Sequence, residues 1–547
     1  MKKKFLSLLL VAAMAVMAVG CGSGSSTSST DSSAGSSAGS NEQAAAPAES
    51  AGSDEQAAPA EEASDIEKPD SITIMVDGTV FTQENGQEQF IAKIEELTGI
   101  SDIKVIQPDH DAYYDVLGQT IASGDWPDVL IASSTYYSAY AAEGVLWDMT
   151  DMWEGSDLQA RQKAYNADGV VEGMKIDGRL YGMPAARGNG CMTYVKKAWL
   201  DAVGMDVPTN FDEYYAMLQA FTTQDPDGDG KNDTYGVSAA GFVGGEAPYI
   251  NYLAEFYQDA YPSFYQKDDG TWADGFTEDS MKGAMERLAT AYSDGVIDPT
   301  TLTNGTSDCR NKFYADEFGV FTYWAGTWAT NLKTNLDANG IDSELIALPP
   351  LAEVGKYLDR IPPVWCITTK CANPEGVYKY FIETMQDGGE TQFAWTYGVE
   401  GTHWSTAAET LWEGAENETT YAEGEFHMLP NLEKPETAYT KAHIDPMLAL
   451  TDLTAYPAGV TENPMDKAVA EEAKNSANVF AENCVSAVLV PSTDVLTQLN
   501  GDLTALKNQL IADVTMGKIT VDEAYAQFES DGGADWSKQI VDSLNAQ

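Results

Sequence analysis

The chain has 547 residues, with 31 basic side chains against 85 acidic ones and a formal net charge of −54. That balance excludes nucleic acid and anionic membrane surfaces as partners and weakly disfavours anionic ligands such as uronates or phosphosugars. The length is enough for two or more lobes of roughly 100–200 residues each.

Lys2 to Lys4 precede an apolar run from Phe5 to Val19 and then Gly20 and Cys21, the pattern of a secretory signal. The run is shorter than the roughly 20 residues of a membrane span. Small residues, Ala18 and Gly20, stand before a cysteine, which resembles a bacterial lipobox with Ala18 in place of the commoner leucine. Residues 1–20 are therefore expected to be a lipoprotein signal peptide and Cys21 the lipidated first residue of the mature chain. Without the three lysines the balance is 28 basic against 85 acidic residues, or −57. Residues 21–68 are Ser, Gly, Ala, Glu and Pro with almost no apolar bulk, a composition that stays a flexible tether.

Alternating elements follow. Ser71 to Val76 reads as a buried strand, and Gln87 to Leu97 as a helix with Phe90, Ile91, Ile94 and Leu97 on one face, ended by Gly99. Strand Ile103 to Ile106, helix Tyr113 to Ala122 and strand Val129 to Ala132 repeat the alternation, which marks an α/β lobe with a largely parallel sheet. Gly124 ends the second helix and Pro127 prevents its resumption. A second α/β run begins at Ala198, with a helix from Thr209 to Phe221 capped by Thr209 and a strand from Tyr235 to Ala239. The Pro- and Gly-marked segments Gly182–Gly190 and Ala347–Leu351 read either as surface loops or as crossings between lobes. Thr520 and Glu523 form a capping box that opens a terminal helix.

The segments Ser123–Val129 (SGDWPDV), Tyr181–Pro184 (YGMP), Asp225–Gly236, Phe318–Trp324 (FGVFTYW), Tyr397–Trp404 (YGVEGTHW) and Gly517–Tyr525 (GKITVDEAY) together resemble the extracellular solute-binding lipoproteins of family 1, including the larger oligosaccharide-binding members. They run in family order over nearly all the chain after the tether. The resemblance implies a periplasmic-binding-protein-like fold, two discontinuous α/β lobes joined by hinge strands around a central ligand cleft. The expected boundaries are 69–185 with 350–410 for the first lobe and 186–349 with 411–547 for the second. It further implies a monomer that delivers a carbohydrate, an oligosaccharide above all, to the permease of an ABC importer, anchored at the extracytoplasmic face of the bacterial membrane by lipid only.

No enzyme motif stands against this. His110, His403, His427 and His443 lack His-Glu-x-x-His spacing, no Gly-x-Ser-x-Gly elbow occurs, and no Gly-rich phosphate loop is present, so no catalytic residue or catalytic cofactor is expected. With 85 acidic residues, a carboxylate pair suited to glycoside hydrolysis carries no information. A secreted glycoside hydrolase is one alternative, and a surface adhesin the other, though repeats are absent.

Asp225, Asp227, Asp229 and Asp233 occupy positions 1, 3, 5 and 9 of an EF-hand-like loop, with Gly230 at position 6 and the Lys231 carbonyl at position 7. A structural calcium ion is the expectation, or else a polar turn, because Gly236 replaces the closing glutamate. In the family an acidic residue often follows the last aspartate, and here that position is Thr234. A neutral sugar needs flat aromatic platforms edged by polar groups. Ligands collect at the carboxyl ends of strands in open α/β sheets. Trp328, just after the strand Phe318–Trp324, corresponds to the family's stacking tryptophan and is the first choice. Trp324 is second, with Trp365 and Trp404 behind. Asp77 and the stretch Ser133 to Tyr136 follow strands of the first lobe and are candidate polar contacts. Arg187 and Asn189 on the first crossing either donate to ligand hydroxyls or, for Arg187, hold an interlobe ion pair. Cys191, Cys309, Cys366, Cys371 and Cys484 lack metal spacing. Cys366 and Cys371 are near enough for a small disulfide or are buried thiols.

Overall fold

The computed structural model describes residues 66–546 except 79, 82–85, 110–111, 166, 241–252, 416, 433–434, 436–437 and 439–442. The signal peptide, Cys21, His110 and all but the last three residues of the tether lie outside the described residues. From Ile66 onward the chain is packed, since the Ile66 carbonyl accepts from the Tyr380 hydroxyl and the Glu67 carbonyl from Asn373 Nδ2. No helix among the described residues is long and apolar enough to cross a membrane.

Two sheets organise the fold. In chain order the strands are β1 (Ser71–Met75), β2 (Asp102–Ile106), β3 (Val129–Ala132), β4 (Met183–Pro184), β5 (Cys191–Lys196), β6 (Tyr235–Val237), β7 (Phe264–Gln266), β8 (Trp272–Asp274), β9 (Phe318–Trp324), β10 (Leu345–Leu348), β11 (Tyr357–Asp359) and β12 (Val364–Ile367). The first sheet runs β2-β1-β3-β12-β4, with β1 parallel to both β2 and β3 and with β12 antiparallel to β3 and β4. The second runs β10-β5-β9-β6, antiparallel except for β9 beside β6. Each sheet has its own apolar core. Ile74, Leu130, Trp153, Val364 and Trp395 belong to the first, and Val195, Phe221, Leu288, Val320 and Leu510 to the second.

Local chemistry explains the element ends. The helices Gln87–Thr98 and Tyr113–Ser123 stop at Gly99 and Gly124, both left-handed, where a side chain would be strained. Asp128 enters β3 with its own N–H bonded to the Thr73 carbonyl while its carboxylate accepts from Thr73 N–H at 2.8 Å, stitching β3 to β1. The expected Thr209 cap is corrected: the helix is Phe211–Thr223 and Asn210 caps it, its side chain accepting from Glu213 N–H at 3.1 Å. Thr209 instead donates to the Glu213 carboxylate. The Thr520–Glu523 capping box is present and opens Val521–Ser530.

The chain passes between the sheets at 186–190, where β4 in the first gives way to β5 in the second. The passage expected at Ala347–Leu351 is corrected. Pro349 and Pro350 end the edge strand β10, and Leu351 buries in the second core, so these residues stay where they are. The return lies later, between β11 and β12. A third passage follows the helix Glu471–Glu482, at β17 (Cys484–Ser486), after the short pairs of β13 (Trp404–Ser405) with β16 (His427–Met428) and β14 (Glu409–Leu411) with β15 (Thr419–Tyr421). β17 pairs in parallel with β11, and Leu489 just beyond it packs in the first core. The helices Asp494–Thr515, Val521–Ser530 and Gly533–Leu544 then return to the second core. They are tied down by a buried pair, Lys507 Nζ to Asp274 Oδ1 at 2.7 Å, with Ser537 Oγ donating to the other oxygen of Asp274 at 2.7 Å. Cys366 and Cys371 form no disulfide, and neither do the other three thiols. Burial pushes the Cys371 thiol up to about 12.

Candidate functional site

On the first sheet, the carboxyl ends of β1 and β3 gather Asp77, Ser133 and Tyr136 around Tyr114, which the sequence reading did not single out. The Tyr114 hydroxyl accepts from Ser133 N–H at 2.9 Å, and its ring stacks on Tyr136 at 4.1 Å and 9°. Burial raises the Tyr114 hydroxyl, and the charge of Asp77 adds to the rise, so Tyr114 stays a neutral donor. Ser133 also precedes the helix Ser134–Ala142, leaving backbone N–H groups at this edge.

On the second sheet, β9 ends at Trp324 and the helix Thr327–Ala338 begins three residues later. Trp328 is half-buried, edge-on to Tyr323 at 4.8 Å, with the Arg310 guanidinium 5.3 Å from its ring centre. Trp324 is 9% exposed and carries the Arg360 guanidinium at 4.7 Å. Thr327 Oγ1 donates to Asp445 at 3.0 Å, joining this helix to a segment fixed on the first sheet's side, where Ile444 N–H bonds to the Trp395 carbonyl. Burial pushes Asp445 up to about 6, against the bonds from Met447 N–H and Thr327.

Two of the aromatic candidates are corrected. Trp365 packs edge-to-face with Phe381 and Trp395 in the first core, and Trp404 is buried against Phe393 and Phe426. At 6% and 2% exposure neither offers a face to a ligand. Composition alone could not separate these tryptophans from Trp328, because the covering rings come from 11 to 30 residues away in sequence.

Arg187 and Asn189 sit on the first crossing, which lies directly against the second: Arg360 N–H bonds to the Asn189 carbonyl at 3.1 Å. Asn189 is 1% exposed and its Nδ2 has no partner among the described residues, nor have Arg360 Nε and Asp359 Oδ1. Asp359 and Arg360 were not foreseen. The Pro362–Pro363 break just after them is the sequence signal that marks this crossing. Burial pushes Asp359 up to about 7, against the pull of Arg187 and Arg360. A cavity of about 360 Å³ adjoins the crossings, lined among others by Tyr261, Tyr265, Thr322, Lys356, Leu358 and Val485.

Away from the crossings, the Asp225, Asp227 and Asp229 carboxylate oxygens converge within 4.8 Å of one another. Gly230, at φ 86°, makes the turn and donates its N–H to Asp225. Burial, then Asp225 and the charge of Asp229, raise Asp227. Asp233 is 3.8 Å from Lys231 Nζ, which also pairs with Asp229 and so competes with any cation. Thr234 is corrected as a ligand: it is 4% exposed and its hydroxyl donates to the Phe221 carbonyl at 2.7 Å.

Residues 82–386, a span holding β2–β12 and both crossings just described, match the family model of the bacterial extracellular solute-binding protein. The chain belongs to that family. This solute-binding protein is similar to the polygalacturonan/rhamnogalacturonan-binding protein YtcQ of Bacillus subtilis (strain 168), 22% identical over 488 residues, covering 84% of this chain and 88% of that one. Lipoprotein LipO of the same organism is 26% identical over 250 residues, 45% of this chain, and the match spans about half, 48%, of LipO. Among solved structures, the HMO binding ABC-transporter associated solute binding protein from Bifidobacterium longum infantis ATCC 15697 superposes with a TM-score of 0.60 at 17% identity, over 87% of this chain and 98% of that one, which shows the shared fold. Two of these relatives of the solute-binding protein, YtcQ and the Bifidobacterium protein, are binding proteins by name.

Proposed function

We propose that this protein is the extracytoplasmic substrate-binding subunit of an ABC importer, which closes two lobes on an oligosaccharide and hands it to a membrane permease. The observation that carries the reading is that three chain crossings join two sheets, each with aromatic and polar side chains at the carboxyl end of a strand. Tyr114, Tyr136 and Asp77 on one side and Trp324 and Trp328 on the other flank crossings of three chain segments, the geometry a hinged sugar clamp requires. Trp328 is the stacking platform, with Asp77, Ser133, Tyr136, Arg187 and Asn189 as polar contacts. The first lobe is assigned 66–187 with about 361–450. The expected limits at 350 and 411 move because Leu351 and Tyr357 pack in the second lobe and Ile444 in the first. Cys21 carries the lipid and residues up to 65 the tether. The protein acts as a monomer. The Asp225–Asp233 loop takes a calcium ion that stiffens the second lobe: three convergent carboxylates, one of them raised, are the donor set a hard cation relieves.

The names of YtcQ and the HMO binding protein support a saccharide ligand here. Thermal-shift screening of the full chain against a glycan library tests the proposal, since a ligand of the folded state raises its melting temperature by mass action. A shift with the glycan recovered intact is expected. Shortened products would indicate a hydrolase, and silence across the whole library would refute the reading.

A further inference from the structure

Only six of the chain's 31 basic residues are arginines, and three of them, Arg187, Arg310 and Arg360, stand at the crossings or over Trp324, which ends β9, and Trp328, which follows it. None of the three makes an ion pair within 4.0 Å among the described residues, in a chain with 85 carboxylates to choose from. Arg187 NH2 donates instead to the Tyr165 carbonyl at 3.2 Å and Arg310 to Ser307 Oγ at 2.9 Å. At the crossings themselves the buried, unpartnered atoms are donors by two to one, Asn189 Nδ2 and Arg360 Nε against Asp359 Oδ1. Gly188 lets the two crossings pack this closely: a Cβ there would lie 1.5 Å from the Arg360 carbonyl oxygen and 2.8 Å from Asp359 Oδ1.

Unpartnered buried donors are costly to hold unless something polar meets them when the protein works. A neutral sugar hydroxyl both donates and accepts, and so asks for a balanced lining. A carboxylate only accepts, through two oxygens, and matches a donor-rich site containing guanidinium. We propose that the crossings form a carboxylate subsite, Arg360 and Arg187 supplying cationic donors and Asn189 an amide donor, so that the ligand is an oligosaccharide of uronic-acid units. This rests on the sugar-binding reading above and narrows it. Asp359 only partly offsets the cations, since burial pushes its carboxyl up to about 7. The acidic surface, which argued weakly against such ligands, acts through water with a screening length of about 8 Å at physiological ionic strength, whereas the arginines are in contact with the site. Arg310 over Trp328 provides a second cation for a neighbouring unit.

The test is calorimetric titration of the full chain with oligogalacturonate, oligomannuronate and oligoglucuronate, each beside its neutral methyl ester, and with neutral gluco-, galacto- and fructo-oligosaccharides. At least one uronate is expected to bind tenfold or more tighter than its ester. Arg360→Gln should lose about tenfold for the acid while leaving the ester unchanged, with partial recovery in Arg360→Lys. Should Arg360→Gln not fold, Arg187→Gln is used instead, and it should weaken the acid about tenfold more than it weakens the ester. Binding of neutral sugars with no preference for any acid overturns the carboxylate subsite and leaves the transport reading standing. An acid preference that both variants leave intact also overturns it. Binding to neither class overturns both proposals.

Discussion

Gly188→Ala should damage the hinge more than any other single methyl group on it. An added Cβ would lie 1.5 Å from the Arg360 carbonyl oxygen, whereas ordinary contact begins at 3.4 Å, so the two crossings must part by about 2 Å. That separation breaks the Arg360 N–H bond to the Asn189 carbonyl, now 3.1 Å. The crowded atom is backbone, so no rotamer change relieves it. Overpacking costs about 1–3 kcal/mol and the lost backbone bond about 1 kcal/mol, giving roughly 2–4 kcal/mol in all. Urea unfolding followed by tryptophan fluorescence reads this as a lower midpoint. Gly118→Ala is the control, because its helix site has open space and no left-handed φ, and it should be neutral or stabilising by up to about 1 kcal/mol. If Gly188→Ala matches Gly118→Ala in midpoint and leaves glycan affinity unchanged, the crossings are not in close contact and the argument for a packed hinge fails.

Trp328→Ala should abolish the glycan-induced thermal shift while lowering the unliganded melting temperature by only a degree or two. A mutant that binds normally moves the platform elsewhere. Asp227→Asn should remove a calcium-dependent rise in melting temperature, measured with and without chelator after equilibrium dialysis, and no rise in the wild type would leave the loop a turn. Asp298 is buried, which would raise it, yet bonds from Lys312, Thr300, Ser238 and Asn304 hold it at about 2. A depressed carboxylate stabilises the fold above its unfolded value near 4 and loses that contribution as pH falls toward 2, here about 2 kcal/mol. Wild type and Asp298→Asn should therefore converge in urea midpoint between pH 4 and pH 2, and a constant gap contradicts this. Cys21→Ser should abolish fatty-acid labelling and release the protein or leave its signal uncleaved, and labelling that persists would place the lipid elsewhere.

Much of the fold was legible because local chemistry and packing agree. β3 falls where the sequence expects it, after Gly124 and Pro127, and Thr520 announces its helix unaided. What could not be read depends on partners distant in sequence. Pro349–Pro350 breaks the chain wherever it lies, but only the burial of Leu351 reveals that the break leads nowhere. Trp365 and Trp328 carry the same side chain, and Phe381 with Trp395 decides between core and platform. Thr234 follows an acidic run as a ligand would, yet the Phe221 carbonyl takes its hydroxyl. Asp359 and Arg360 look unremarkable until the crossing that contains them is known.

The position of β12 between β3 and β4 sets an order of events for the newly synthesised chain. The first sheet holds β3 and β4 about 50 residues apart, but the strand that joins them arrives some 180 residues after β4. At about 5–20 residues per second that is a delay of roughly 10–40 s, with Leu130 and Met183 still waiting for their neighbours. The second core waits longer still, for Leu510 and Ile540 near the end. Neither half can mature as it emerges, so the whole polypeptide must be made before either becomes protease-resistant, and truncation before residue 494 should yield degradation rather than a stable fragment.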